Sequence, residues 1–514
     1  MIEDARTIPA GTVLKADLCI VGAGAAGIAM ARALIGRPMR IILLEAGGDE
    51  YDDATQALYA GTREGNPCAP LDVSRLRYFG GTTNHWAGYC RPFDESDFER
   101  RAWVGMSGWP FDLDHLVPFY ERAQPVLELQ AFDYEAATWA EHMSGLFRSD
   151  VMQGRLRAAV FQQSPPTRLG PRYRDELAKA RNVTVYQWAN LTDIRTDRSP
   201  EAVSAIDVAC LEGPHFRIEA DRFVLAMGGI ENARMLLSAT STHAAGLGNG
   251  HDMVGRCFMD HPHYEAAQIL FNAPSDIARS PTGQIVYTQC MLDQAVEREE
   301  ELLRFLTTLH PVSRQSPGYV ALRNITKNLR RGIVPESLWD DLVQVVTDID
   351  GAAMDLYGRL YADTNALELT IHPEQEPNRA SRVTLTDERD ALGLRRCRLD
   401  WRLTDLDRRT IRRGLEIVGE EFGRAGIGRL QLAPWVEEDG FEVPGNGSYH
   451  HIGTTRMSTD PKQGVVDADC RVHGLHNLYV AGSSVFPTAG FANPTLTIVA
   501  LALRLADHLD TTTG

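Results

Sequence analysis

The stretch from Asp17 to Glu45 constrains this chain more than any other. Leu18-Cys19-Ile20-Val21 is an apolar run of strand length, and GAGAAG follows at once, with Gly22, Gly24 and Gly27 at G-x-G-x-x-G spacing. Ile28 to Leu34 continues with helical composition, and RIILLE from Arg40 to Glu45 reads as a second strand ending in an acid. Strand, glycine turn, helix and second strand are the context in which this spacing binds a dinucleotide. Gly22 permits the tight turn, Gly24 lets the backbone approach a pyrophosphate, and Gly27 lets helix and strand pack closely. The helix N-terminus presents unpaired N–H groups to phosphates. Glu45 stands where a carboxylate accepts hydrogen bonds from a ribose.

That fingerprint does not choose between NAD and FAD. A second segment, Asp221 to Leu237, has a strand at Phe223 to Ala226, a Gly228-Gly229 turn and a helical run. Taken alone, this is also an ordinary strand-to-helix turn. Just before it, NVTVYQWANLTDIRTD (Asn182 to Asp197) reads as an alternating strand pair, of the kind inserted after the first unit in FAD-binding proteins.

The middle of the chain has a different texture. LDQAVEREEELLRFLTTL (Leu292 to Leu309) and SLWDDLVQVVTDIDGAAMDLYGRLY (Ser337 to Tyr361) read as charged helices, part of a helical insert over about 277–363. From Leu367 the text alternates again in LELTIHPEQEPN, SRVTLTDE and RRCRLDWRLT, which predicts antiparallel strands of a second domain.

Composition narrows the function. The chain has 514 residues, enough for two or more packed cores. Its 52 Lys and Arg against 69 Asp and Glu give a net charge of −17, which argues against sequence-independent nucleic-acid binding. The charge suits a neutral or cationic ligand, although solubility alone accounts for it. No run approaches the roughly 18 apolar residues of a membrane span; the longest, Leu496 to Leu503, reads as a buried helix. The N-terminus carries acids where a secretory signal carries positive charge, so a cytoplasmic protein is expected. Eight scattered cysteines without a CxxC pair give no zinc, haem or disulfide pattern, and no metal site is expected.

The C-terminal stretch is the most informative. GNGSYHHIGTTRMSTD (Gly445 to Asp460) precedes GVVDADCRVHGLHNLYVAGSSVFPTAGFANPTLTIVALALRLADHL (Gly464 to Leu509). Together with VGAGAAG, FGGTTNHWAG (Phe79 to Gly88), SGWPFDLDHLVPFYERA (Ser107 to Ala123) and GRCFMDHPH (Gly255 to His263), these blocks resemble the glucose–methanol–choline (GMC) flavoprotein oxidoreductases. Within that family the text is most similar to the pyranose-oxidase-like branch, which includes glycoside 3-oxidases.

The resemblance implies a mixed α/β fold, with a Rossmann-like FAD-binding domain interleaved with a substrate-binding domain of antiparallel sheet plus helices. The expected division is 1–260 for the FAD domain, with a flavin-loop segment at 75–125. Residues 261–440 would form the substrate domain, and 441–514 a return to the FAD domain. The resemblance puts His450 on the catalytic histidine and Asn493 on its partner. It also implies FAD contacts from Gly80, Gly81, Asn84, His85, Gly228, Gly482, Ser483 and Thr495, with covalent attachment through His85 left open. One departure stands at AGSSVFPT, where many members have an aspartate and this chain has Gly482 and Ser483; their backbone N–H groups can still bind the cofactor.

Chemistry supports the pair independently. Oxidising an alcohol removes a hydride from carbon and a proton from oxygen, and a neutral imidazole can take the proton. Asn493 can donate an amide N–H to the same oxygen, and Pro494 restricts its backbone. Adjacent side chains in an extended chain face opposite ways, so only one of His450 and His451 can face the cofactor, and spacing selects His450. The expected reaction is oxidation of a ring hydroxyl of a pyranose or glycoside to a keto-sugar, C3 favoured over C2. Oxidation of another alcohol (an aminoglycoside or a non-sugar) and a lyase reaction with non-redox flavin remain as alternatives. The acceptor is open among oxygen, a quinone and a separate carrier, as is a homo-oligomer or partner subunit.

Overall fold

The computed structural model describes residues 1–196, 199–275, 286–311 and 364–512, with positions 321, 325 and 343. Two large sheets organise the chain. In the first, Ile2–Asp4, Val183–Gln187, Ile41–Leu44, Val13–Val21 and His215–Leu225 lie side by side and parallel. The C-terminal end of His215–Leu225 pairs in parallel with Leu478–Val480, while its N-terminal end pairs antiparallel with Ala205–Ala209. Apolar runs such as Ile41–Leu44, buried on both faces, are what a parallel sheet covered by helices requires.

The glycine turn leads directly into the helix Ala25–Ala33. The last helix, Thr495–Thr511, packs into the same core; it contains the expected Leu496–Leu503 run, buried throughout apart from Ile498. Sequence positions separated by almost the whole chain therefore build one layer.

The second sheet is antiparallel in the order Gly428–Leu432, Tyr264–Ser275, Thr364–Ile371, Leu306–Pro311, Val286–Leu292, Leu156–Gln163, Tyr89–Cys90. The helix Asp405–Arg424 covers it, opened by a capping box between Thr404 and Asp407. Ile411, Leu415, Val418 and Phe422 share a core with Ile269, Leu367, Leu369 and Ile371. A small third sheet joins Arg382–Arg389, Arg395–Trp401 and Thr62–Gly65. The mixed α/β class and the second, antiparallel sheet agree with expectation. Strands at 89–90 and 156–163 belong to the second sheet, so the two layers interleave within the first 260 residues.

Three local expectations are corrected. The strands expected over Asn182–Asp197 form as Val183–Gln187 and Asn190–Arg195, but they do not pair with each other. Trp188 between them takes a left-handed φ of 62°, and Asn190–Arg195 pairs with Ala205–Ala209 instead. Leu292–Leu309 is not one helix. A helix over Gln294–Glu299, capped by Asp293, ends near Glu301, whose φ of 51° leaves the helical region, and Leu306–Pro311 is a strand. The strands expected after Leu367 separate: Thr364–Ile371 joins the second sheet, whereas Arg382–Arg389 and Arg395–Trp401 pair in the third. The segment Ser337–Tyr361 lies outside the described residues apart from position 343, as does most of the expected insert. Among the described residues no helix is long and apolar enough to cross a membrane.

Candidate active site

The strands Val13–Val21, His215–Leu225 and Leu478–Val480 end together, with Leu225 beside both Val21 and Val480. Ligands of open parallel sheets bind outside such carboxyl ends. The three following turns carry Gly22, Gly228 and Gly482, with φ of 106°, 86° and 111°. A Cβ on Gly22 would lie 2.6 Å from the Ala226 carbonyl oxygen, and one on Gly27 would lie 1.9 Å from that of Gly22. Both positions therefore exclude any side chain. By contrast, a Cβ at Gly24, Gly228 or Gly482 would meet no atom of the described residues within 4 Å.

The helices Ala25–Ala33, Gly228–Ser238 and Thr495–Thr511 all begin without a side-chain cap, so their leading N–H groups remain available. The loop Phe79–Gly81 closes on this point. Gly80 N–H donates to Ala23 O at 2.9 Å, and a Cβ on Gly81 would lie 3.1 Å from Gly24 Cα. The glycines form a cradle of the kind a pyrophosphate fits.

Glu45 is buried beside the first turn, and its carboxylate accepts from Ala23 N–H and Gly47 N–H, both at 3.1 Å. Burial pushes its carboxyl above the usual range despite these bonds. Asn84 spends its amide on the Phe79 carbonyl at 2.9 Å, shaping the loop from within. His85, at the end of that loop, is exposed and has its ring edge-on to Tyr78, centroids 6.4 Å apart. Ser483 Oγ donates to the His451 carbonyl at 2.6 Å, and Thr495 opens the last helix two residues after Asn493.

His450 and Asn493, 43 positions apart, meet: Asn493 Nδ2 lies 3.4 Å from His450 Nε2. His451 faces elsewhere, its ring against Phe258 with centroids 5.8 Å apart. Three further groups enter the site that the sequence did not single out. Asp260 accepts the backbone N–H groups of His261, Ser448, Tyr449 and His450 at 2.7–3.2 Å. It thereby steadies Tyr449 in a left-handed conformation, φ 62°. His261 Nδ1 lies 2.8 Å from His450 Nδ1, and His261 Nε2 lies 3.0 Å from the Gly490 carbonyl. The third group, His372, lies with its ring centroid 4.5 Å from that of His261. GRCFMDHPH stood out as a block, but its two chemically important residues lie about 190 positions from His450, beyond any local pattern.

Burial first, and neighbouring imidazoles second, hold His450 and His372 well below the ordinary histidine range; burial brings His261 to about 4. All three are neutral at pH 7. Burial pushes Asp260 up to about 7, opposed by its N–H donors. His261, His372 and His450 each bring one ring nitrogen within 4.8 Å of the others, a spacing at which histidines can share an ion. The 2.8 Å His261–His450 approach is instead that of a hydrogen bond, since two nitrogens on a tetrahedral zinc lie about 3.3 Å apart.

Two buried ion clusters hold the surrounding loops. Glu231, on the helix Gly228–Ser238, receives Arg75, Arg77 and Arg234 at 3.1, 3.4 and 2.9 Å, and Arg234 also meets Asp390 at 2.7 Å. Burial alone would raise the Glu231 carboxyl, but the three guanidiniums outweigh it and bring it to about 2. Arg304 meets Asp94 and Asp97 at 2.7 and 3.1 Å, and Arg101 grips Glu374 through two bonds of 2.7 and 2.6 Å.

Parallel sheet, glycine cradle and a neutral histidine beside it fit a dinucleotide-dependent oxidoreductase, and the comparisons make the dinucleotide FAD. Residues 17–243 match the FAD dependent oxidoreductase family model, and residues 377–502 match the GMC oxidoreductase model. The chain thus carries the C-terminal domain of the GMC oxidoreductases and an FAD-dependent oxidoreductase domain, and it is an FAD-dependent enzyme acting on alcohols. It is 27% identical to the 6'''-hydroxyparomomycin C oxidase of Streptomyces lividus over 96% of this chain and 92% of that one. A shorter stretch of 117 residues, 22% of this chain and 21% of the relative, is 40% identical to the C-glycoside 3-oxidase of Arthrobacter globiformis. Among solved structures, pyridoxine 4-oxidase from Mesorbium loti superposes with a TM-score of 0.59 at 18% identity, covering 96% of this chain and 98% of that one. The cofactor is FAD, and the glycine cradle fits its pyrophosphate.

Proposed function

We propose that this enzyme oxidises a secondary ring hydroxyl of a pyranose or glycoside to the ketone, C3 favoured and C2 the alternative, with His450 as the base. The observation that carries the reading is the meeting of a half-buried, neutral His450 with Asn493. The local likeness to a C-glycoside 3-oxidase supports the substrate class. Bound FAD supplies the hydride acceptor. His450 Nε2 takes the hydroxyl proton, so the substrate loses one hydride and one proton and no further reactant is needed. Asn493 Nδ2 donates to the same oxygen and holds it in line. Gly22, Gly24, Gly27, Gly228 and Gly482 admit the cofactor backbone, Glu45 faces its ribose, and Gly80, Gly81 and His85 border the ring.

An amino sugar is the second reading. It is favoured by the net charge of −17 and by the near full-length likeness to an oxidase named for a hydroxyparomomycin. Division into an FAD domain, a substrate domain and a C-terminal return belongs to the same proposal.

The test is anaerobic titration of the yellow holoenzyme with D-glucose, methyl β-D-glucoside and D-glucosamine. Bleaching of the flavin band by one of them is expected, and His450→Ala should slow it by about 10²–10⁴-fold with FAD retained. Bleaching by none, or by the variant at the native rate, refutes the reading. Acid precipitation tests a covalent link through His85, which would leave the pellet yellow.

A further inference from the structure

We infer that His261 is a positioning residue that fixes the proton of His450 on Nδ1, leaving Nε2 bare towards the substrate. The inference rests on His450 being the base. The Gly490 oxygen can only accept a hydrogen bond, so His261 Nε2, 3.0 Å away, is the N–H side of its ring. His261 is fully buried and neutral, and a neutral imidazole carries one proton. That proton is already on Nε2, so His261 Nδ1 is a lone pair. His450 Nδ1 lies 2.8 Å from it and must be the donor. The one proton of neutral His450 is then spent on Nδ1, and Nε2 is left as a lone pair. Asn493 Nδ2, a donor, is what stands 3.4 Å from that nitrogen.

The opposite arrangement fails at two points. A proton on His261 Nδ1 would leave two lone pairs facing each other at Gly490. It would also turn His450 Nδ1 into the acceptor and move that ring's proton onto Nε2, where the base must be empty. A free histidine ring favours the proton on Nε2, so the useful form of His450 is the one that needs fixing.

The carbonyl that sets this order is itself held. Gly490 has φ of 53°, and a Cβ there would lie 3.2 Å from the Asp97 carboxyl group, which Arg304 anchors. Asn493 is three residues further on the same segment. Asp260 ties the other end, bonding the backbone of both His261 and His450. When His450 Nε2 accepts the substrate proton, the resulting cation keeps its Nδ1–H on His261, and the chain to Gly490 disperses the charge.

The direct test needs no substrate. In ¹⁵N-histidine-labelled holoenzyme, with His450 assigned by its loss in His450→Gln, the expected result is an imine-type Nε2 and a pyrrole-type Nδ1 on His450. A proton on Nε2 of His450 overturns the inference, whatever the sugar titration shows. The kinetic test compares anaerobic flavin reduction, by whichever of the three sugars bleaches the wild type, in His261→Ala and His261→Asn. Asn can offer its Oδ1 where Nδ1 stood. The Ala variant is expected to be about 10–100-fold slower at unchanged FAD content, with Asn recovering most of the loss. Equal rates in the two variants overturn it. Should the Ala variant lose FAD, the nitrogen spectra of wild type and His261→Asn decide.

Discussion

Replacing Glu231 by Gln tests how the flavin loop is held. Glu231 sits between Arg75, Arg77 and Arg234, with all four side chains at most 9% exposed. Its carboxyl is drawn from 4.5 to about 2, which corresponds to about 3 kcal/mol of stability at neutral pH. Breaking a buried pair from one side costs about 3–5 kcal/mol by direct comparison, so the two routes agree. Gln keeps the shape and an acceptor but leaves Arg75 and Arg77 without their ion-pair partner, while Arg234 keeps Asp390.

Arg75 and Arg77 lie just before Gly80, Gly81 and His85, so the loss should appear as early flavin release. For a cooperative unit of 150–250 residues, about 3 kcal/mol corresponds to roughly 6–12 °C. The assay is thermal release of FAD fluorescence at pH 7. The pH arm gives the sign. A lowered carboxyl contributes stability above pH 4.5 that is lost as pH falls through about 2, and the Gln variant lacks that dependence. A variant releasing FAD at the wild-type temperature would refute the staple.

Other expectations follow from the same geometry. Gly27→Ala places a Cβ 1.9 Å from the Gly22 oxygen and should abolish FAD retention, read as the ratio of flavin to protein absorbance. Asn493→Ala should slow flavin reduction by about 10–100-fold with bound FAD unchanged, since only the aim of the hydroxyl is lost; a wild-type rate removes Asn493 from the site. Because His261, His372, His450 and His451 are all held below the ordinary histidine range by burial, the unfolded chain binds protons that the native one refuses. The stability these histidines contribute should therefore fall as pH drops below 6.5, while Asp260, raised to about 7, contributes in the opposite sense; an acid limb in the flavin-reduction rate should follow Asp260 and vanish in Asp260→Asn, and a limb that persists at 6.5 in that variant contradicts the neutral cluster.

What was legible in the sequence was local. The turn Gly22–Gly27 and its flanking strands read correctly because each contact spans a few residues, and Gly27 against Gly22 is a five-residue affair. His450 and Asn493 were found by resemblance, and the structure brings them together. Asp260 and His261 escaped because their meaning depends on a partner supplied by another layer; a buried aspartate among N–H groups has no periodicity. The strand at Leu306–Pro311 was hidden for a similar reason. LLRFLTTL suits a helix by composition, and only Arg304, caught by Asp94 and Asp97 some 210 residues upstream, shows why the chain straightens there.

The closing strand and helix carry a consequence for synthesis. Leu478–Val480 lies beside His215–Leu225, and Thr495–Thr511 packs into the core begun by the first helix. The glycine turn Gly22–Gly27 is made long before Leu478–Val480 and Thr495–Thr511, so the layer that houses it waits for an edge strand and a covering helix. Until then the nascent sheet shows an open edge and an apolar face, a surface for chaperones to shield. Flavin loading is thereby tied to the arrival of Thr495–Thr511. A polypeptide stopped before Leu478 would lack the edge strand, the covering helix and Asn493 together.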